Sequence, residues 1–242
     1  MASNPGQLAG AAAGLSELRD RLLFVLMALL VYRAGTHIPV PGINPERLAA
    51  LFDQQQGGIL DLFNMFSGGA LERMSILALG VVPYITSSII MNLMSMMYPT
   101  LQQLRKEGES GRRKITQYTR YGTLIIALIQ GTSLSVTLAN QGLAFAPGFT
   151  FLFVATTTLV TGALFMMWLG EQITERGVGN GISLIIFAGI VSGFPAAIGQ
   201  SFEAARQGDI NIIVLLAIGL LAIGIVAFVV FVERGQRRIT VN

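Results

Sequence analysis

The sequence predicts an all-α protein, a polytopic bundle of membrane-spanning helices with one short helix that enters the bilayer without crossing it. Three observations carry this. Of 242 residues, 52% are hydrophobic and 12% charged, where a soluble globular chain carries about a quarter charged residues. The mean hydropathy is +0.64, so the solvent of most of the surface is lipid. The apolar residues fall into six stretches close to the roughly 20 residues that a spanning helix needs.

The first span is expected over 22–38. It follows Arg19 and Arg21 and is broken by Pro39, Pro41 and Gly42. Residues 1–20 are polar and small, and no small-residue cleavage site follows the apolar run, so it reads as a retained signal-anchor. The second span is expected over 76–98, ended by Pro99, the third over 121–139 and the fourth over 149–170. The fifth, 181–199, is interrupted by Gly189, Ser192, Gly193 and Pro195. The sixth, 210–232, is apolar on all sides and should face lipid.

Residues 57–75, GGILDLFNMFSGGALERMS, fit none of these spans. They are too short and too polar to cross, and Asp61, Asn64 and Glu72 cannot face hydrocarbon. Irregular backbone at membrane depth is tolerated only inside protein or a wet cavity. The stretch reads as a re-entrant helix with glycine hinges, or as an amphipathic helix on the outer leaflet.

Basic residues set the orientation. With the N-terminus in the cytoplasm, the inner connections hold twelve Lys and Arg (19, 21, 105, 106, 112–114, 120, 176, 234, 237, 238). The outer ones hold three: Arg47, Arg73 and Arg206. Arg33 lies within the first span, where it can snorkel outward. The densest run, RKEGESGRRK at 105–114, is a solvated flexible loop or a contact for an acidic partner or anionic headgroups.

Several function classes are excluded. The chain has no cysteine and one histidine, His37, which leaves no thiolate metal site and no histidine cluster. His37 reads as a polar side chain at the membrane interface. No cofactor is expected. The glycine-rich ERGVGNG (175–181) lacks the strand before it and the GK[ST] ending of a phosphate loop, and fits a tight turn opening the fifth helix. Gly189 and Gly193 read as a helix-packing pair. With no GxSxG, no HExxH and no carboxylate inside a span, neither an enzyme nor a proton relay is indicated.

Polar side chains mark the second helix (Thr86, Ser87, Ser88, Asn92), the third (Thr123, Gln130, Thr132, Ser133, Ser135) and the fifth. These helices line an interior, or they hydrogen-bond to one another without a pore. On the second, Val81, Ile85, Ser88 and Asn92 share a face at i, i+4, i+7 and i+11. The face is apolar toward one end and polar toward the other, as at an apolar constriction beside a wet vestibule.

Long ordered strings resemble the SecY family: IPVPGIN, LFNMFSGGALERMSILALGVVPYITSSII, KEGESGRRKITQYTRYGT, MWLGEQITERGVGNGISLIIFAGI and FVERGQRRI. The resemblance implies a bacterial protein-conducting channel for secretory and membrane proteins, with ten spanning helices in two inverted halves. It implies a pore ring that includes Val81, Ile85 and Ile186. It implies a plug helix over 62–71, with Leu62, Phe63, Asn64, Met65, Phe66, Ser67, Gly68 and Gly69. A lateral gate is implied with Ser87, Ser88, Asn92 and Thr123 facing it, and contacts for cytoplasmic partners at Arg105, Lys106, Arg112, Arg113, Lys114, Arg237 and Arg238.

The implied partners are the membrane subunits SecE and SecG, the motor ATPase SecA, the ribosome, signal peptides and nascent chains, in the bacterial inner membrane. The expected organisation is a cytoplasmic N-terminus (1–21), a five-helix half-channel (22–200), a hinge loop with the sixth helix (201–232) and the start of a cytoplasmic loop (233–242). The last string stands where the family's large cytoplasmic loop begins, so the chain reads as a piece of a longer channel. A small-solute transporter and a non-conducting scaffold are the alternatives. Val81 is smaller than the isoleucine common at that place in the family.

Overall fold

The structure is a computed structural model that describes residues 5–54, 64–65, 67–208 and 211–235. Two compact units divide the chain, Met1–Ser192 and Gly193–Asn242. The helices are α1 (Pro5–Gly35), α2 (Pro45–Gln54), α3 (Val82–Met97), α4 (Pro99–Lys106), α5 (Glu109–Asn140), α6 (Phe149–Arg176), α7 (Gly181–Gln207) and α8 (Ile212–Glu233). No strand occurs among the described residues, only isolated bridges at Pro39–Ser75 and Ile43–Ala144. Among the described residues four helices, α5 to α8, are long and apolar enough to cross a membrane.

In the first unit α5 packs on α3 and α6, and α1 packs on α6. Apolar burial drives little of this inside a bilayer, because lipid is as apolar as leucine; close van der Waals contact between small residues does. Ala127, Gly131 and Ser135 recur every fourth residue on α5 and are all buried. They face Leu159, Val160 and Ala163 of α6. Ser135 accepts a bond from the Thr156 hydroxyl at 3.3 Å. Ser135 therefore belongs to the helix–helix contact. Thr132 and Ser133 are exposed.

Besides the small α5–α6 cluster, the unit holds two larger apolar cores. One joins Val40, Ile43, Leu48 and Phe52 to Met74, Leu143, Phe151 and Leu159. The other joins Val25, Ala28 and Tyr32 of α1 to Leu77, Val81, Met166, Leu169, Ile173 and Ile185. The connection 38–44 is stitched into the first core. Val40 N donates to Met74 O at 2.8 Å, Ile76 N to Ile38 O at 2.9 Å and Asn44 N to Leu143 O at 2.8 Å. The Asn44 side chain caps α2, accepting from Glu46 N at 3.0 Å, and Arg47 reaches Gly142 O at 2.7 Å.

Several boundaries differ from expectation. Helix α1 begins at Pro5 rather than at residue 22, running through the stretch read as a polar N-terminal segment. The second span, expected over 76–98, is helical only over Val82–Met97. Pro83, one of the first two helical residues, has no N–H to donate backward, which suits it to a helix start and not an interior; residues 70–81 are a chain of turns with one bridge at Ser75. The 105–114 loop is also not a loop. α4 runs to Lys106 and α5 starts at Glu109, whose carboxylate sits in the first turn and pairs with Arg113 at 3.3 Å; negative charge there favours helix. Pro195 does not break α7, which continues to Gln207.

In the second unit, α8 is capped by Asn211, whose side chain accepts from Ile213 N at 3.1 Å. Its long apolar side chains are exposed all round, as expected of a lipid-facing helix.

Candidate functional site

The site is built on the turn segment 67–80, here called the strap, and on the helices it meets. Ser67 and Gly68 begin it. The Tyr32 hydroxyl donates to Ser67 O at 3.0 Å, and Arg33 Nη1 donates to Gly68 O at 2.7 Å and to the Ser192 hydroxyl at 3.2 Å. Asn64 closes the segment from the other side. Its amide donates to Glu72 Oε2 at 3.0 Å, and its carbonyl side accepts from Glu72 N at 3.0 Å. Among the described residues of the expected re-entrant helix only Asn64 and Met65 are helical, and Ser67, Gly68 and Gly69 are turn or bend. Leu62, Phe63 and Phe66 lie outside the described residues.

Arg33 is half-buried and committed to the strap. Gly189 behaves differently from its expected helix-packing role: the strap approaches it, so that a Cβ on Gly68 would lie 3.1 Å from Gly189 Cα.

Behind the strap is a cavity of about 620 Å³. Val81, Ile85 and Ile186 all line it, together with Ser67 and Leu71 of the strap and Gln130, Ser133 and Thr137 of α5. Three separate places in the chain thus bring these apolar side chains together: Val81 just after the strap, the first turn of α3, and α7. A second cavity of about 350 Å³ is lined by Tyr84, Ser88, Arg120, Glu171, Glu175 and Asn180. Ile85 lines both. It therefore borders both a largely apolar space beside the strap and a more polar one, of mixed lining that also includes Ile89 and Ile182, at the ends of α5 and α6.

The polar space contains a side-chain pair that the sequence did not reveal. Arg120 holds Glu171 through two bonds, Nε to Oε1 at 3.0 Å and Nη2 to Oε2 at 2.7 Å. The Glu171 side chain is 13% exposed and that of Arg120 47%. Arg120→Ala is expected to destabilise the folded chain by about 1–2 kcal/mol, because it strands a mostly buried carboxylate. Adding Glu171→Gln should recover at least half of that loss. Thermal unfolding of the two single variants and the double variant in detergent checks it.

The other expected site residues are spread more widely. Ser87 is buried and donates to Thr119 O at 2.7 Å, joining α3 to α5. Thr123 is buried and donates to Thr119 O at 2.8 Å within α5. Ser88 is half-buried on the polar cavity, and Asn92 is exposed. Arg105, Lys106, Arg112, Arg113 and Lys114 are all exposed on α4 and the start of α5. Arg237 and Arg238 lie outside the described residues. The glycine-rich turn after α6 is held by Thr174, which accepts from Gly181 N at 2.8 Å, and by Asn180, which caps α7. Among the described residues no group of three or more His, Asp or Glu could hold a metal ion.

The family model described as SecY matches residues 75–242. The protein translocase subunit SecY of Pseudomonas aeruginosa is 70% identical over 229 residues, covering 95% of this chain and 52% of that protein. The subunit of the same name in Escherichia coli is 58% identical over 247 residues, covering 100% and 56%. The chain thus spans about half the length of these curated relatives. Among solved structures, a channel in the canine ribosome-channel complex from the endoplasmic reticulum aligns with a TM-score of 0.65 at 18% identity, over 93% of this chain and 50% of that one. A second, described as a protein conducting channel, aligns with a TM-score of 0.57 at 16% identity, over 79% and 42%. At those identities the structural likeness speaks for the fold.

Proposed function

Because this chain belongs to the SecY family, we propose that it forms the N-terminal half of a protein-conducting channel that moves secretory polypeptides across, and membrane proteins into, the bacterial inner membrane. One observation supports this above the rest: Ile85 lines an apolar cavity shared with Val81 and Ile186 on one side and a polar cavity on the other. An apolar neck between two wider spaces resists wetting, and so blocks ions while empty. The same side chains close around an extended polypeptide, since apolar contact is non-directional and accepts any sequence.

In this reading Val81, Ile85 and Ile186 belong to the pore ring. Residues 62–69 belong to the plug, and Ser87, Ser88, Asn92 and Thr123 lie at the lateral gate. The gate's other wall comes from the second half of the full-length protein. The N-terminus is cytoplasmic, which puts Arg105, Lys106, Arg112, Arg113, Lys114, Arg237 and Arg238 where the ribosome or SecA would meet them. SecE and SecG are the membrane partners. The chain itself catalyses no bond-making step; the energy comes from the motor or from synthesis.

The test is crosslinking. A photoreactive residue replaces Ile85, Ile186 or, as a control, Leu216 in the full-length channel, in membranes carrying a stalled secretory chain. Crosslinks to the stalled chain from positions 85 and 186 and none from 216 are the expected result. Correct insertion with no crosslink at either position would overturn the conducting role and leave a scaffold.

A further inference from the structure

The contacts at the start of the strap have no part in the pore ring, yet they join three distant segments. Arg33 Nη1 is shared between Gly68 O at 2.7 Å and the Ser192 hydroxyl at 3.2 Å. Ser192 in turn donates to Gly189 O at 2.7 Å, which fixes its lone pair toward the guanidinium. Tyr32, the residue before, holds the adjoining carbonyl of Ser67 at 3.0 Å. Two successive strap carbonyls are thus pinned by two successive residues of α1.

The chemistry is unusual for an arginine on a helix expected to enter the bilayer. Among the described residues no carboxylate forms an ion pair with Arg33. Its charge is spent on a backbone carbonyl and a hydroxyl, as charge-assisted bonds that exceed neutral ones in strength. Gly68 has φ +66°, and a Cβ there would lie 2.9 Å from Tyr32 Oη and 3.3 Å from Ser192 Oγ. The strap therefore sits down on this cradle only because position 68 has no side chain.

Neutral acceptors also matter for release. A carbonyl that leaves a guanidinium for water loses little, whereas a carboxylate would be held by charge. The arrangement can hold at rest and let go when a wet path opens.

We propose that Arg33 is a positioning residue of the closed channel, a latch that holds the start of the strap, residues 67–71, beside the apolar cavity through Gly68 O and Ser192 until a polypeptide enters, while residues 74–78 stay fixed in the core. The proposal rests on the channel reading above. It assigns to Arg33 the resting position of the strap.

The experiment uses the full-length channel with its partner subunits in vesicles, made free of other cysteines and carrying Leu71→Cys. Leu71 lies half-buried on the cavity. The labelling rate by a membrane-impermeant maleimide is read together with resting ion leak. Arg33→Met is expected to speed labelling about tenfold and raise the leak, a change worth about 1.4 kcal/mol of latch equilibrium. Arg33→Lys, which keeps the charge, should recover most of the wild-type rate. With a stalled secretory chain in the pore, wild type and Arg33→Met should label equally, because the latch is already open; general damage would keep the variant faster and overturn the proposal. Labelling of Arg33→Met at the wild-type rate also overturns it. If that variant fails to insert, Ser192→Ala decides: about threefold faster labelling supports the latch, and no change refutes it. Faster labelling without leak, and without crosslinks from positions 85 and 186, would keep the latch and remove the channel reading.

Discussion

Ile85→Asn in the full-length channel will raise resting ion leak by about ten- to a hundredfold. Of the three side chains proposed for the ring, Ile85 is the one that lines both cavities, so a polar group there would wet the proposed neck from both sides at once. A carboxamide in an apolar shell changes local hydration by roughly 1–3 kcal/mol, and each 1.4 kcal/mol on a barrier is about tenfold in rate. Val81, buried at 6% exposure, should give a smaller leak when changed to threonine, because it contributes less of the neck's surface. The control is Ile125→Asn, at a position on α5 outside both cavities. Ion flux in vesicles carrying the purified channel measures the effect. An Ile85→Asn channel as tight as wild type would mean that the neck is sealed by something other than these side chains.

Gly162→Ala will destabilise the folded state by about 3 kcal/mol or more. A Cβ at Gly162 would fall on the carbonyl oxygen of Ile76, with the carbonyl carbon 2.8 Å away. Overpacking a core usually costs about 1–3 kcal/mol, because side chains can rotate aside. Here the obstacle is backbone, and it cannot retreat: Ile76 N is already bonded to Ile38 O at 2.9 Å, and Val40 N to Met74 O at 2.8 Å. Helix α6 must move away from the strap, and the inner core of Leu77, Met166 and Leu169 opens with it. Gly148→Ala is the matched control, since a Cβ there meets nothing within 4 Å. Thermal unfolding or protease resistance of the two variants in detergent decides; equal stability would refute the close approach.

The spanning helices were legible because hydropathy is a sum over many residues, and α5 to α8 each carry a long apolar window. The start of α3 was not. Residues 76–81, ILALGV, are as apolar as the helix that follows, and hydropathy cannot separate an apolar turn from an apolar helix. Pro83 was the available signal, since proline favours a helix's first turn. At 105–114 charge was read as loop, although Glu109 and Arg113 at i, i+4 are a helix pattern.

For the site, Val81 and Ile85 were readable as one face, and Ile186 came from family resemblance alone. The Arg120–Glu171 pair spans 51 residues and the Arg33–Gly68 bond 35. No local pattern encodes such pairings, since they depend on how whole helices are rotated. Arg33 in an apolar span is the visible sign of a buried partner, and the sequence does not say which.

The stitched connection at 38–44 has a consequence in time. Arg47 bonds to Gly142, which lies 95 residues later, and Asn44 bonds to Leu143. At roughly 5–20 residues per second of synthesis, α2 and its flanking turn wait about 5–20 s for the segment that completes their core. During that interval Leu48 and Phe52, both buried in the finished fold, have no partner from α5 or α6. The nascent chain is most vulnerable to proteolysis and misfolding in that window, before the connection after α5 has been made.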